Sequence, residues 1–175
     1  MSDKLLVLSC CAPCSVGVIH ALRASGRAFA VLFYNPNIRP AAEYRRRLDE
    51  NKRVCADLGV PFVDLPYEPQ HWDAVCGGLT DKPERGRRCA LCFKLRLAHA
   101  ARYAADNGFA AWTSVLGFSR HKDLNQVNRI ARAVAAECAL PYDFTDWRTL
   151  APETAERTRA KNLYRQNYCG CKPEN

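Results

Sequence analysis

No segment of this chain approaches the roughly 20 consecutive apolar residues of a membrane span, so no transmembrane helix is expected. No glycine-rich phosphate loop follows the first strand candidate, which ranks nucleotide activation last among the enzymatic readings. Repeats, low-complexity tracts and long linkers are missing too, which argues for one domain over residues 1–175. Acidic residues are in the minority: 18 Asp and Glu face 26 Lys and Arg, leaving a net charge of +8 that favours an anionic partner. The apolar stretch from Leu5 to Ile19 imitates a signal peptide, but its charged leader is short, and Pro13 and three cysteines interrupt it. A cytoplasmic protein without membrane attachment is the expectation.

What the chain has in plenty is cysteine. At 175 residues it is long enough to bury a real core and needs no disulfide staples. In a reducing compartment clustered thiols bind metal or do redox work instead. Seven of the ten cysteines fall in three short clusters, Cys10-Cys11-x-x-Cys14, Cys89-x-x-Cys92 and Cys169-x-Cys171. Groups so far apart in sequence act together only if the fold gathers them, and soft thiolates bind iron-sulfur clusters or zinc in sets of three or four.

The run Leu5–Leu8 is short, continuous and followed by a Cys/Pro turn, as a buried strand would be. Pro13 suits the first turn of a helix to about Ala24, ahead of Gly26. Phe29–Tyr34 and Phe62–Leu65 are further strand candidates around a charged amphipathic helix, Ala41–Leu58, closed by Gly59. Between Pro66 and Gly78 the pattern allows a short helix at most. Ala90–Asn107 reads as a helix, Ala111–Leu116 as a strand, Leu124–Cys138 as a helix, Tyr142–Phe144 as a short strand and Glu153–Arg165 as a last helix. The alternation predicts a single α/β domain, a Rossmann-like parallel sheet with helical crossovers and a metal site at the carboxyl ends of the strands. The Cys10 cluster, Asn35-Pro-Asn37 and Ser114–Lys122 should share that crevice.

Each constellation carries alternatives. Cys11-Ala-Pro-Cys14 has the form of a thioredoxin-type dithiol, whose thiol pKa a helix N-terminus lowers, but Cys10 and two further pairs would have no role in a simple thiol-disulfide exchanger. Cys89-Ala-Leu-Cys92 leads into a helix, so both thiolates can face one metal, and four thiolates suit a 4Fe-4S cluster or a zinc ion in an RNA-binding module. Cys169-Gly-Cys171 can close as a strained, reducible disulfide or offer thiolates to a second metal. Cys55, Cys76 and Cys138 stand alone and read as core or incidental thiols. Basic residues at Arg45–Arg47, Lys82–Arg88, Arg120–Lys122 and Arg157–Arg165 suit phosphates, and Tyr34, Tyr164 and Tyr168 are the best placed aromatics for stacking on bases.

Taken in order, the segments at 8–14 (LSCCAPC), 33–44 (FYNPNIRPAAEY), 88–97 (RCALCFKLRL), 119–122 (SRHK) and 164–171 (YRQNYCGC) resemble the cobalamin-independent epoxyqueuosine reductases of the QueH type, and they span nearly the whole chain. The resemblance implies reduction of the epoxide of epoxyqueuosine, a modified wobble base of tRNA, to the cyclopentene of queuosine. It implies a 4Fe-4S cluster on Cys10, Cys11, Cys89 and Cys92, a redox-active pair at Cys169 and Cys171, and a second iron with a ligand at Cys14. Some members carry aspartate at that position, and the soft thiolate of Cys14 leaves this metal's identity open. Epoxide removal takes two electrons and two protons, whereas one 4Fe-4S cluster usually carries one electron, so a second store and an external electron donor, not identified by the sequence, are needed. Tyr34, Glu43, His121 and Tyr168 are the proton-donor candidates, with Glu43 and His121 nearest the crevice loops.

Overall fold

A computed structural model describes residues 3–172; the outermost ends of the single-domain assignment, 1–2 and 173–175, lie outside the described residues. Four parallel strands, β1 (Leu5–Ser9), β2 (Phe29–Phe33), β3 (Phe62–Asp64) and β4 (Ala111–Ser114), form one sheet in the order β3-β2-β1-β4. The two central strands are buried along their whole length, which is why they read as unbroken apolar runs instead of alternating ones. Register is set by Val7 opposite Val31 on one side and Thr113 on the other.

Helices cover both faces. On one side α1 (Ala12–Ala24) and α2 (Ala41–Asp57) pack on Leu5, Val7 and Val31 through Val16, Ile19 and Val54, and α6 (Ala151–Ala160) packs against α1. On the other, α4 (Arg87–Asp106) and α5 (Leu124–Cys138) meet Leu6, Leu8, Leu32 and Trp112 through Phe93, Leu97, Ala131 and Val134. Each such fully buried side chain contributes roughly 1.5–3 kcal/mol of transfer free energy. A short helix α3 (Pro69–Cys76) and a single 3-10 turn at Gly77–Leu79 lie against the start of α4.

The α/β expectation holds, with local corrections. Helix α4 begins three residues earlier than expected, so both cysteines of the central pair lie in its first two turns. Tyr142–Phe144 is no strand: one isolated bridge joins Tyr142 to Trp112. The last helix ends at Ala160 instead of Arg165, because Asn162 takes a left-handed backbone (φ +48°) and Leu163 N–H returns to the carbonyl of Thr158. That early stop frees the residues from 163 onward to run back across the sheet end.

Because β1 leads outward to β2 through α1 while β4 flanks its other edge, the chain reverses direction of winding between β1 and β4, where open sheets form their ligand crevice. Helix α1 comes so close to α6 that a Cβ at Gly17 would overlap the buried Thr154 hydroxyl. We expect Gly17→Ala to destabilise the fold by about 1–3 kcal/mol through overpacking, read as a lowered denaturation midpoint with unchanged slope.

Candidate metal centre

The first cysteine cluster sits on a turn fixed by buried polar groups. Ser9, at the end of β1, donates its hydroxyl to Asn51 Oδ1 at 2.7 Å and lies 2.5 Å from Ser15 Oγ. Ser15 in turn donates to the Cys11 carbonyl at 2.7 Å, and Asn51 Nδ2 is anchored on the Arg47 carbonyl at 2.9 Å. Asn35, just past β2, donates to the Ser9 carbonyl at 2.9 Å. The backbone around Cys10 and Cys11 is thereby held from three elements at once, as a ligand loop must be.

On this turn the sulfurs of Cys10, Cys11 and Cys14 lie within 4.8 Å of one another, those of Cys10 and Cys11 3.8 Å apart. Hydrogen bonds from the Cys11 and Cys14 thiols, with Arg96 and Lys122 nearby, hold the Cys10 thiol well below its ordinary pKa. The donors move the other way: donation to Cys10 pushes Cys11 up to about 12, and Cys14 rises well above the ordinary value for the same reason. Cys10 is therefore the thiol of the trio that ionises most readily. This departs from the thioredoxin-type reading, which needs the thiol pKa depressed within Cys11-x-x-Cys14.

Two cations, buried Arg96 and half-buried Lys122, tie the three clusters together. Arg96, on α4, donates from Nη2 to Asn35 Oδ1 at 2.5 Å and from Nη1 toward Cys92 Sγ at 3.9 Å, and its guanidinium also feels the charges of Cys10 and Cys169. Lys122 reaches Cys169 Sγ with its ammonium at 2.5 Å. The hydrogen bond from the Cys171 thiol, then Lys122 and Arg96, hold Cys169 well below the ordinary thiol pKa, whereas Cys171 is pushed far up by that same hydrogen bond and by burial. Burial also raises Cys92. The position of Lys122 follows from Arg148, whose guanidinium takes the carbonyls of Gly117, Ser119 and Lys122 at 2.6, 2.9 and 2.8 Å.

The C-terminal tail arrives by its own contacts. Arg47, buried on α2, donates to the carbonyls of Tyr168 and Cys169 at 3.1 and 3.0 Å, while Glu43 holds Arg47 Nε at 2.7 Å and accepts from the Tyr164 hydroxyl at 3.0 Å. Tyr168 donates to the Arg39 carbonyl, and Arg39 N–H bonds the Gly170 carbonyl at 2.8 Å. Gly170 has φ +119°, and a Cβ there would stand 3.0 Å from Ile38 Cγ1, so only glycine fits between the two cysteines. Between the tail and the ends of β1 and β4 lies a cavity of about 300 Å³, lined among others by Cys10, Arg96, His121, Lys122, Tyr168 and Cys169.

The residues expected from sequence thus divide. Cys10, Cys169 and His121 line the cavity, and Cys92 meets it through Arg96. Cys89 is buried and lines a smaller recess with Phe93, His121 and Lys122. Cys171 packs with Cys92, Trp72 and Cys76, so Cys76, read from sequence as a core or incidental thiol, is a core thiol that stands beside the centre. Glu43 does not line the cavity; both its oxygens are engaged behind the tail. Tyr34 is 1 % exposed and stacked on His99, which removes it from base stacking. Sequence reasoning counted Lys122 as a phosphate contact, placed Asn35 in the crevice without a role, weighed Trp72 only as a stacking or core aromatic, and passed over Arg96; a basic residue one turn after a CxxC was the available signal for Arg96.

The donor set fits an anionic iron-sulfur centre. Five soft thiols stand on two elements, Cys10, Cys11 and Cys14 on one and Cys89 and Cys92 on the other; Arg96 Nε is a buried N–H group without a hydrogen-bond acceptor, and the buried Trp72 lies against Cys92 with its indole N–H toward the thiol. Such donors tune cluster sulfurs. Cys89 and Cys92 do not fall inside the 4.8 Å group, and a cube-shaped cluster spaces its thiolates more widely than a single ion does.

An α/β sheet whose switch point gathers thiols and cations defines a protein with a thiol-rich site that could hold a metal. The family model "Epoxyqueuosine reductase QueH" matches residues 5–173. Curated proteins of that name from Histophilus somni and Haemophilus influenzae are 44 % and 43 % identical over 173 residues, covering 97 % of this chain and 71 % and 70 % of theirs. One from Acinetobacter baylyi is 40 % identical, covering 97 % of this chain and 79 % of its own. The chain belongs to the QueH family. A solved structure, a "predicted subunit of tRNA methyltransferase" from Methanocaldococcus jannaschii, shares the fold at TM-score 0.58 and 13 % identity over 87 % of this chain and 74 % of that one.

The Cys171 hydrogen bond and Lys122 together make Cys169 the reactive thiol of the tail. In reduced, metal-free protein, alkylation of Cys169 should stay fast from about pH 9 down to about pH 7, while in Lys122→Met it should fall about tenfold per unit as the pKa returns toward the ordinary value. Mass spectrometry of the tail peptide against pH checks this, with Cys171 as the slow internal reference.

Proposed function

We propose that this protein reduces the epoxide of epoxyqueuosine in tRNA to the cyclopentene of queuosine. The reading is supported by family membership and, above all, by the meeting of Cys10, Cys92 and Cys169 on the Arg96 and Lys122 pair at one end of the cavity. We assign Cys10, Cys11, Cys89 and Cys92 to a 4Fe-4S cluster and Cys14 to a second, mononuclear iron. When bound, this centre supplies single electrons and a Lewis acid for the epoxide oxygen.

The chain's own groups do the rest. A cavity of about 300 Å³ admits one nucleoside and no helical stem, so the wobble base enters alone, splayed out of the anticodon loop. Exposed Arg46, Arg85, Arg87, Arg120 and Arg165 border the lining residues and meet the flanking phosphates. Half-buried Lys122 and buried Arg96 form a positive wall that favours negative charge building on the epoxide oxygen. His121 lines the cavity and protonates that oxygen as it leaves.

The electron account closes on the tail. Converting the epoxide to the alkene breaks two C–O bonds, takes up two electrons and two protons, and releases water. Oxidation of the Cys169 thiolate and the Cys171 thiol to a disulfide gives up two electrons and one proton, and His121 supplies the second proton, so one pair with His121 matches one turnover. A reductant outside the chain then restores the dithiol. Cys169 stands ready as thiolate and Cys171 as thiol, the ionisation state from which a disulfide forms as electrons are withdrawn. Glu43, through Arg47, positions the tail and takes no part in proton transfer.

Protein purified without oxygen should be brown, with about four or more irons and matching sulfide per chain, and should convert epoxyqueuosine tRNA. A colourless protein holding only zinc after anaerobic reconstitution would overturn the reading. Cys89→Ala should lose the cluster, and Cys169→Ser should keep the iron yet stop turnover.

His121→Ala and Glu43→Gln separate chemistry from positioning. The first should lower kcat about 100-fold or more, with protease resistance of the tail intact. The second should lower turnover about 100-fold with the pH profile's shape kept and the tail cleaved faster. Iron content should be unchanged in both.

A further inference from the structure

We propose that Glu68, His71 and His99 form a second metal site, separate from the cysteine centre, for one divalent ion of the zinc class. A carboxylate oxygen and one ring nitrogen from each histidine lie within 4.8 Å of one another. Glu68 is the N-cap residue of α3, His71 follows in its first turn with its N–H on the Glu68 carbonyl at 3.0 Å, and His99 stands opposite on α4. Two imidazoles and one carboxylate are a complete protein donor set for zinc with one position left to water.

The groups behind the ligands match that use. His99 Nδ1 sits 2.9 Å from the Leu95 carbonyl, which places the proton on Nδ1 and leaves the Nε2 lone pair for an ion. Tyr34 O–H lies 3.4 Å from His71 Nδ1, and its ring stacks on His99 with centroids 4.3 Å apart. The two imidazoles meet edge to face at 5.2 Å and 74° instead of stacking, an arrangement compatible with lone pairs converging from different directions. Burial lowers the His99 pKa, which keeps that ring neutral, the form that ligates.

The site does not belong to the cysteine centre. None of its three residues lines the cavity, and His99 follows Cys92 by seven residues on α4, about 10 Å along the helix axis. Its harder N/O donors also select differently from a thiolate set. An ion here would pin α3 to α4, and α3 carries Trp72 and Cys76, which pack against Cys92. The predicted consequence is a stiffer wall beside the cysteine centre, independent of its redox state.

The test uses iron-loaded, full-length protein given one equivalent of zinc and desalted, with total metal analysis and zinc K-edge X-ray absorption. We expect about one zinc per chain with a first shell of N/O atoms at about 2.0 Å and no sulfur shell at about 2.3 Å. The double variant His71→Ala/His99→Ala should lose that zinc while keeping its iron and sulfide. Should that variant not fold, Glu68→Gln serves instead, with an expected rise in zinc Kd of about tenfold or more. A sulfur shell, failure to retain zinc, or zinc binding unchanged in whichever variant folds would each overturn the proposal. None of these outcomes depends on epoxyqueuosine reduction, so the reductase reading and this site stand or fall separately.

Discussion

The guanidinium of Arg96 is the group that the rest of the centre depends on. It is 2 % exposed, and a buried cation without partners would be strongly destabilising. Its partners come from every part of the chain that matters here: Asn35 from the loop after β2, Cys92 from the start of its own helix, and the charges of Cys10 and Cys169 from the first turn and the tail. Each anion is stabilised by the same cation that it stabilises. Removing the cation would leave buried thiolates to regain their protons, and removing the thiolates would leave a buried cation with little beyond one amide oxygen. That mutual need joins segments about 160 residues apart into one site.

A second constraint orders the tail. Residues 163–171 contain no helix or strand, so their backbone groups must find partners elsewhere. They find them on Arg47, Arg39 and Glu50: the carbonyls of Tyr168 and Cys169 on the first, the Gly170 carbonyl on the second, the Tyr164 N–H on the third. The stacking of Arg46 on Tyr164 and of Arg47 over Tyr168 adds area to the same strap. The charged face of α2 thus does structural work that its composition conceals. Half of it is solvated, and half carries the segment that brings Cys169 to Lys122.

How much of this was legible in the sequence follows from which forces act locally. The strands at Leu5 and Phe29 and the helix starting near Pro13 were readable because continuous apolar runs and proline placement are local signals. The start of α4 was misjudged by three residues because Arg87 and Arg88 look like a surface run, whereas Arg88 is buried and holds the carbonyls of Thr80 and Lys82 at 3.0 and 2.8 Å. The thiol clusters announced a centre, but local pattern does not show which cations face it. Lys122 and Arg120 are near neighbours of one basic segment; Arg120 is exposed, while Lys122 is aimed inward because Arg148, from a distant turn, fixes its loop. Only tertiary contact separates them. The QueH resemblance had the right family because it rested on several motifs in order, and order over a whole chain carries the long-range information that one motif lacks.

The ionisation pattern then explains why the centre is built to receive metal rather than to stand empty as a set of thiolates. In the metal-free chain, hydrogen bonds from neighbouring thiols, helped by Arg96 and Lys122, favour the thiolates of Cys10 and Cys169. The same hydrogen bonds push the donors Cys11 and Cys14 upward, and burial does so for Cys92. Positive charge brought from outside would draw those protons off, as metal ions do when they bind thiols. The chain thus favours one thiolate on the cluster turn and one on the tail, each facing the cation pair that joins the two segments, and an incoming ion would meet one favoured thiolate on each segment.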